Sequence, residues 1–241
     1  GHTHLLGHSE PIHLPDTRTR ALPGEHHFVK TRKGAGLLEL ETGVLHHLLS
    51  SWSVDEALPF RWGGPVAFSH PTTHCIHEPR YSSDCHSYAW ALSTWTVERG
   101  SKLIAWAFDS FDLFAIGPDG SVIARGHLSN SPPLLNYPFW EKDERLLLFG
   151  PDGQIVRDLT SEATVLEGLG GEHFAILKQE RNGQEELVAI NWKTGDQRHL
   201  AGGARIEKWS LDHSDRRLTI VMHHEAESPT SLLISGVVPS P

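Results

Sequence analysis

The chain is poor in several things that specialised proteins need. Its 241 residues include only 2 Cys and 1 Met. Two cysteines cannot build the cross-linked framework of a small secreted domain. The longest apolar runs, such as Leu146 to Phe149, fall far short of the roughly 20 residues that cross a bilayer as a helix. Positive charge is also scarce, with 21 Lys plus Arg against 30 Asp plus Glu and a formal net charge of −9. A protein that grips a duplex neutralises phosphates with a basic face, so nucleic acid is excluded as the expected partner. No secretory apolar region stands at the start, and this together with the few thiols points to a reducing cytoplasm. The chain opens Gly1-His2-Thr3-His4 without Met, which leaves room for it to be one domain of a larger protein.

What remains is 38% hydrophobic and 21% charged, with 18 His, 22 Gly, 15 Pro and 8 Trp. That balance suits a globular chain with a sizeable core. His2, His4, His8 and His13 lie in a polar stretch that ends at Pro23-Gly24. Residues 1–24 are expected to be a flexible or edge-pairing arm, and 25–241 a single domain.

Alternation with period two dominates the domain. In Leu38-Glu39-Leu40-Glu41-Thr42-Gly43-Val44-Leu45 apolar and charged residues alternate up to a Thr-Gly turn, which predicts a hairpin. Tyr88 to Val97 and Lys102 to Phe108 flank Glu98-Arg99-Gly100-Ser101 in the same way. Glu172 to Glu180 and Gln184 to Trp192 flank Arg181-Asn182-Gly183, and Asn-Gly favours a hairpin because both residues tolerate positive φ. Two stretches echo each other 33 residues apart. Leu113 to Ile116 and Leu147 to Phe149 each lead into Gly-Pro-Asp-Gly, and Val122-Ile123 and Ile155-Val156 follow. Pro sets φ at the first central position of such a turn, and the closing Gly takes the conformation that other residues resist. Arg217 to Met222 and Ser231 to Val238 supply two more strands. Ser161 to Glu167 and Leu48 to Leu58 could each hold a helical turn.

Turns recurring at 33 to about 42 residues, with three or four short strands in each unit, are what a propeller blade requires. Residues 36–49, 113–125, 147–159 and 187–200 resemble the blade hairpins of β-propeller repeat proteins of the TolB-like or WD40-like kind. The repeated Gly-His and Trp-Asp landmarks of WD40 blades are absent. The fold expectation is therefore an all-β, mostly antiparallel β-propeller of about six small blades. The alternative is another all-β sandwich or barrel.

The densest chemistry lies in Thr73-His74-Cys75-Ile76-His77-Glu78-Pro79-Arg80-Tyr81-Ser82-Ser83-Asp84-Cys85-His86. Cys75 and His77 would share a face of a strand, and Cys85 or His86 could return across a loop to complete the tetrahedral N/S shell that zinc takes. The other readings of these residues are free or buried thiols beside loop histidines, and a Cys75–Cys85 disulfide. Three catalytic motifs fail. Thr72-Thr73-His74-Cys75 resembles a trypsin-like histidine segment, but no Gly-Asp-Ser-Gly follows it. Gly7-His8-Ser9-Glu10-Pro11 ends in Pro where a nucleophile elbow needs Gly. His77-Glu78 has no second His to make a zincin helix.

The aromatic residues divide into two groups. Trp90, Trp106, Phe108, Phe114 and Phe174 sit in apolar strands and are expected in the core. Trp52, Phe60, Arg61 and Trp62, beside Gly63-Gly64-Pro65, and Tyr137, Phe139 and Trp140 fall outside such strands. Trp and Arg are the types that anchor interfaces. These seven residues are the predicted binding contacts.

With no complete catalytic motif, the sequence points to a non-catalytic recognition or scaffold module for a protein or peptide, needing no cofactor. The alternative is a propeller hydrolase or lyase. Its His74, His77, Asp84 and His86 would converge from the loops, with zinc as the cofactor in question.

Overall fold

The computed structural model describes residues 2–3, 12–13, 26–31, 34–39, 44–49, 56–60, 64–75, 85–96, 99–107, 110–129, 144–161, 163–211, 217–223 and 230–235. Among them all regular structure is β-strand. In chain order these are β1 (His2–Thr3), β2 (Ile12–His13), β3 (His26–Thr31), β4 (Gly34–Glu39), β5 (Leu45–Leu49), β6 (Glu56–Pro59) and β7 (Val66–Cys75). There follow β8 (Cys85–Thr96), β9 (Gly100–Ala107), β10 (Asp112–Ile116), β11 (Val122–Gly126), β12 (Leu128–Ser129), β13 (Arg145–Phe149) and β14 (Ile155–Asp158). The chain continues with β15 (Thr164–Gly170), β16 (Phe174–Arg181), β17 (Gln184–Asn191), β18 (Gln197–Gly202), β19 (Arg205–Leu211), β20 (Arg217–His223) and β21 (Thr230–Ser235).

The chain divides into two compact units, residues 1–113 with 125–144 and residues 114–124 with 145–241. In the first, β1 and β2 pair with each other, β3-β4-β5 form a three-stranded sheet, and a five-stranded sheet runs β12-β9-β8-β7-β6. In the second, β15-β16-β17-β18 and β19-β20-β21 form sheets of four and three strands. The sheet β10-β11-β13-β14 has most of its residues there too. Neighbouring strands run antiparallel in every pairing resolved.

The turns are those that their residues dictate. In both Gly-Pro-Asp-Gly segments the last glycine donates its N–H to the carbonyl of the first, at 3.1 Å for Gly120 and 3.0 Å for Gly153. Both glycines have φ near +90°, where a side chain is strained. The aspartate between them accepts from the N–H two residues on, Asp119 from Ser121 and Asp152 from Gln154. At the β16–β17 reversal Asn182 and Gly183 take φ of 53° and 76°, as a two-residue turn of the primed type requires.

The second unit packs Phe114, Ala115, Ile123, Leu146, Leu148, Leu159, Val165, Ala175, Leu177, Val188, Ile190 and Trp192 into one apolar cluster. Trp192 is held there by its indole N–H, which donates to the Gly171 carbonyl at 3.0 Å. Gly168 and Gly170 let β15 lie against the backbone of β10. A Cβ on Gly170 would overlap the Ile116 carbonyl oxygen.

One expectation is corrected. Residues 164–167, within the stretch expected to hold a helical turn, belong to β15: Val165 is buried between exposed Thr164 and Leu166, and the segment pairs with β16. Sheet pairing there satisfies the backbone that a single helical turn would leave open. Of the other such stretch, Leu48 and Leu49 end β5 and Glu56 to Leu58 lie in β6, and residues 50–55 lie outside those described.

Candidate functional site

The chemistry that the sequence concentrates around residues 73–86 falls on one hairpin, β7 and β8. Val66, Phe68, Leu92 and Trp95 are buried along them, and Phe68 and Leu92 are fully buried. β6 pairs with β7 only from Val66 to Ser69, and β9 pairs with β8 only from Trp90 to Thr96. Beyond those limits the β7–β8 ladder continues through Thr72–Ala89, Thr73–Ser87, His74–His86 and Cys75–Cys85. Among the described residues that extension is a two-stranded ribbon. Pro71 lies past Ser69, the last β7 residue with a described partner in β6. The ladder shifts register immediately after it, between Thr72 and Thr73.

The register sorts the predicted zinc ligands. Cys75 stands directly opposite Cys85, and His74 directly opposite His86. Successive positions alternate across the pleat, so the two cysteine positions belong to one side of the ribbon and the two histidine positions to the other. His77 and Asp84 lie outside the described residues. Among those described, no group of three or more His, Cys, Asp or Glu residues is placed to hold a metal ion.

Of the seven predicted contacts, Phe60 is the one that the structure describes. It is 6% exposed, and its N–H donates to the Pro65 carbonyl at 2.9 Å. This ring is therefore a packing residue at the end of β6, not a surface contact. Trp52, Arg61, Trp62, Tyr137, Phe139 and Trp140 lie outside the described residues. In chain order they fall between β5 and β6, between β6 and β7, and between β12 and β13. Of the five expected core aromatics, Phe114 and Phe174 are buried. Trp90 and Trp106 are half-buried, and Phe108 is outside the described residues.

Sequence reasoning passed over a second polar group at the base of the same hairpin. His70 Nε2 lies 3.2 Å from the Ser93 hydroxyl, and its Nδ1 lies 3.4 Å from the Pro71 carbonyl. A carbonyl only accepts, so hydrogen-bond logic puts the ring hydrogen on Nδ1 and leaves Nε2 to accept from Ser93. The Phe68 ring stacks on the imidazole, with centroids 5.5 Å apart. Burial holds the His70 pKa below its ordinary value, and the bond to Pro71 opposes that shift. The neutral form is thereby favoured. On the neighbouring position of β7, the fully buried Ser69 hydroxyl accepts from the Phe111 N–H at 3.1 Å.

This His–Ser pair has the protonation pattern of a base facing a nucleophile. Among the described residues, burial and the Pro71 bond are what shift the titration of His70, and no carboxylate joins them. Ser93 is also 5% exposed, which leaves little room for a reacting group. His70 and Ser93 lie 23 positions apart in sequence, and only strand register could have joined them.

No protein-family model and no curated protein sequence matches the chain. Solved structures do match its fold. An oligogalacturonate lyase in complex with manganese superposes with a TM-score of 0.53 at 9% identity, over 90% of this chain and 62% of that one. The oligogalacturonate lyase of Vibrio parahaemolyticus gives 0.52 at 9% identity, over 88% and 63%. A TolB from Agrobacterium tumefaciens gives 0.50 at 11% identity, over 90% and 76%. The chain thus spans a little under two thirds of the length of the two lyases. At such identities the likeness is one of architecture, and it agrees with the antiparallel four-stranded sheets: the fold is of the β-propeller kind.

Proposed function

We propose that this chain is a non-catalytic recognition module that binds a protein or peptide. The observation that carries the reading is the burial of Ser93. Among the described residues its pair with His70 has the geometry of a base and a nucleophile, and the hydroxyl is sealed within the sheet. Catalysis needs a reacting group that substrate can reach, whereas recognition needs only a surface. The fold itself does not choose, since it serves proteins named as lyases and one named TolB. Trp52, Arg61, Trp62, Tyr137, Phe139 and Trp140 are the proposed contacts. The charge of −9 favours a basic partner segment through complementary potentials.

Selecting peptides from a displayed random library on the full chain tests this. Peptides enriched on it should be rich in Lys or Arg. They should lose about tenfold or more in affinity, by calorimetry, when Trp52, Trp62 or Trp140 is changed to Ala, with urea unfolding unchanged. Selected peptides that bind all three variants as tightly as the parent would overturn the assignment of contacts.

A second reading rests on the same pair: acyl transfer through Ser93 with His70 as base. A fluorophosphonate probe that labels the native chain, but neither Ser93→Ala nor His70→Gln, would establish it and displace the binding module. Absence of labelling under conditions where a known serine hydrolase reacts removes it.

A further inference from the structure

The register at the far end of the β7–β8 ribbon supports an inference independent of the binding role. The chain has two cysteines, and the ladder sets Cys75 directly opposite Cys85 as its last described pair. Directly opposed residues of an antiparallel ladder have Cα atoms about 4.5 or 5.5 Å apart. A disulfide needs Cα atoms about 4.4–6.8 Å apart, so either kind of pair allows a bridge without backbone movement. The place also gives such a bridge something to do. Past Ser69 and Trp90 the described ribbon has neither β6 nor β9 alongside, and a two-stranded hairpin alone is only marginally stable in water. A covalent tie between positions 75 and 85 would hold the register beyond the described pairing with β6 and β9.

We propose that Cys75 and Cys85 form a reversible cross-strand dithiol–disulfide pair that locks the end of the β7–β8 ribbon. The oxidant is a disulfide of the glutathione class. One cysteine thiolate attacks a sulfur of that disulfide, forming a mixed disulfide and releasing one thiolate. The second cysteine thiolate attacks the cysteine sulfur of the mixed disulfide. The Cys75–Cys85 bond forms and the other half of the oxidant leaves as a thiolate. Two electrons pass to the oxidant, and the two protons given up by the cysteines balance the two thiols that it becomes. With no third cysteine in the chain, only one internal connectivity exists.

The test equilibrates the full chain in glutathione buffers of graded ratio, once native and once unfolded in urea. The thiols are then trapped by alkylation and read by mass spectrometry. The register predicts that the native chain closes the bridge at a ratio at least about tenfold more reducing than the unfolded chain does, a shift of about 30 mV for a two-electron couple. Cys75→Ser and Cys85→Ser should each abolish the loss of two hydrogens in mass. In the parent alone, oxidation should slow amide exchange across Thr72–Cys75 and Cys85–Ala89. Closure at the same ratio in native and unfolded chains would overturn the proposal, as would glutathione adducts on each cysteine without an internal bridge. So would one zinc ion per reduced chain, bound through both thiols and keeping them from the oxidant.

Discussion

Two sheets of similar length bury different chemistry. In β16 and β17 the runs Phe174 to Leu177 and Leu187 to Ile190 are buried and apolar, and Gln179 is the one buried polar residue of these two strands. In β7 and β8 the equivalent interior positions mix Ala67, Phe68, Ala91 and Leu92 with Ser69, Ser93 and Thr94, all of them buried, and His70 joins them half-buried. A buried hydroxyl must find a partner or cost free energy. Ser69 takes the Phe111 N–H and Ser93 faces His70. The first arrangement gains stability from area removed from water. The second gives up part of that gain to hold polar groups in register. Chemistry is therefore to be sought in the β7–β8 hairpin, and stability in the β15–β18 sheet.

Overpacking the apolar sheet should give the largest effect. Gly170→Val puts side-chain atoms into the Ile116 carbonyl, where backbone cannot yield. Urea unfolding should show a loss well beyond the roughly 1–3 kcal/mol usual for overpacking, and greater than that of Leu177→Ala. A variant as stable as the parent would mean that β15 does not approach β10 so closely.

Next comes the contrast itself. Leu177→Ala empties a fully buried site in the apolar cluster and should cost about 2–5 kcal/mol. Ser93→Ala removes one hydrogen bond from the polar hairpin and should cost about 1 kcal/mol. Equal losses would erase the distinction between the sheets.

A smaller effect separates the hairpin from the rest by pH. Burial lowers the folded pKa of His70 from its ordinary 6.5, so on acidification the unfolded chain takes up this proton first. The contribution of the neutral imidazole is complete above pH 6.5 and fades as pH falls through that value towards the lower folded pKa. Between about pH 7 and about pH 5 the urea midpoint of the parent should fall more than that of His70→Gln. Parallel profiles would show that His70 is not held neutral by its surroundings.

The smallest effect concerns the exposed Arg145–Asp158 pair between β13 and β14. Burial raises the carboxyl pKa, and the bonds from Thr160 and Arg145 outweigh it and leave it lowered. Both side chains are 42% exposed, and solvent screens such pairs. Arg145→Ala should shift stability by less than about 1 kcal/mol. A larger loss would make the outer strand β14 more dependent on charge than its neighbours are.

Local chemistry was the legible part. Gly-Pro-Asp-Gly, Asn182-Gly183 and the alternation from Leu38 onward predicted reversals and strands that the structure contains, because φ preferences and pleat periodicity act within a few residues. Less legible was which aromatic residues were for packing. Phe60 resembled a surface anchor beside Gly63-Gly64-Pro65 and is buried at the end of β6. Trp192 read as a strand end, and its indole is locked to Gly171 inside the core. Neighbours in the chain do not say what lies across a sheet. His70 drew no attention for the same reason, since its partner Ser93 stands 23 positions away in sequence.

Composition and spacing by themselves determined that the chain folds as antiparallel strands joined by tight turns. They also determined that both thiols fall in the segment between Thr73 and His86. Tertiary structure alone decided that Cys75 faces Cys85 while His74 faces His86, and that Ser93 meets His70. The physical reason is register. Turn residues set where a strand reverses, but the pairing of buried side chains across the sheet sets which residue stands opposite which, and a slip of one position would set Cys75 opposite His86 or His74 opposite Cys85.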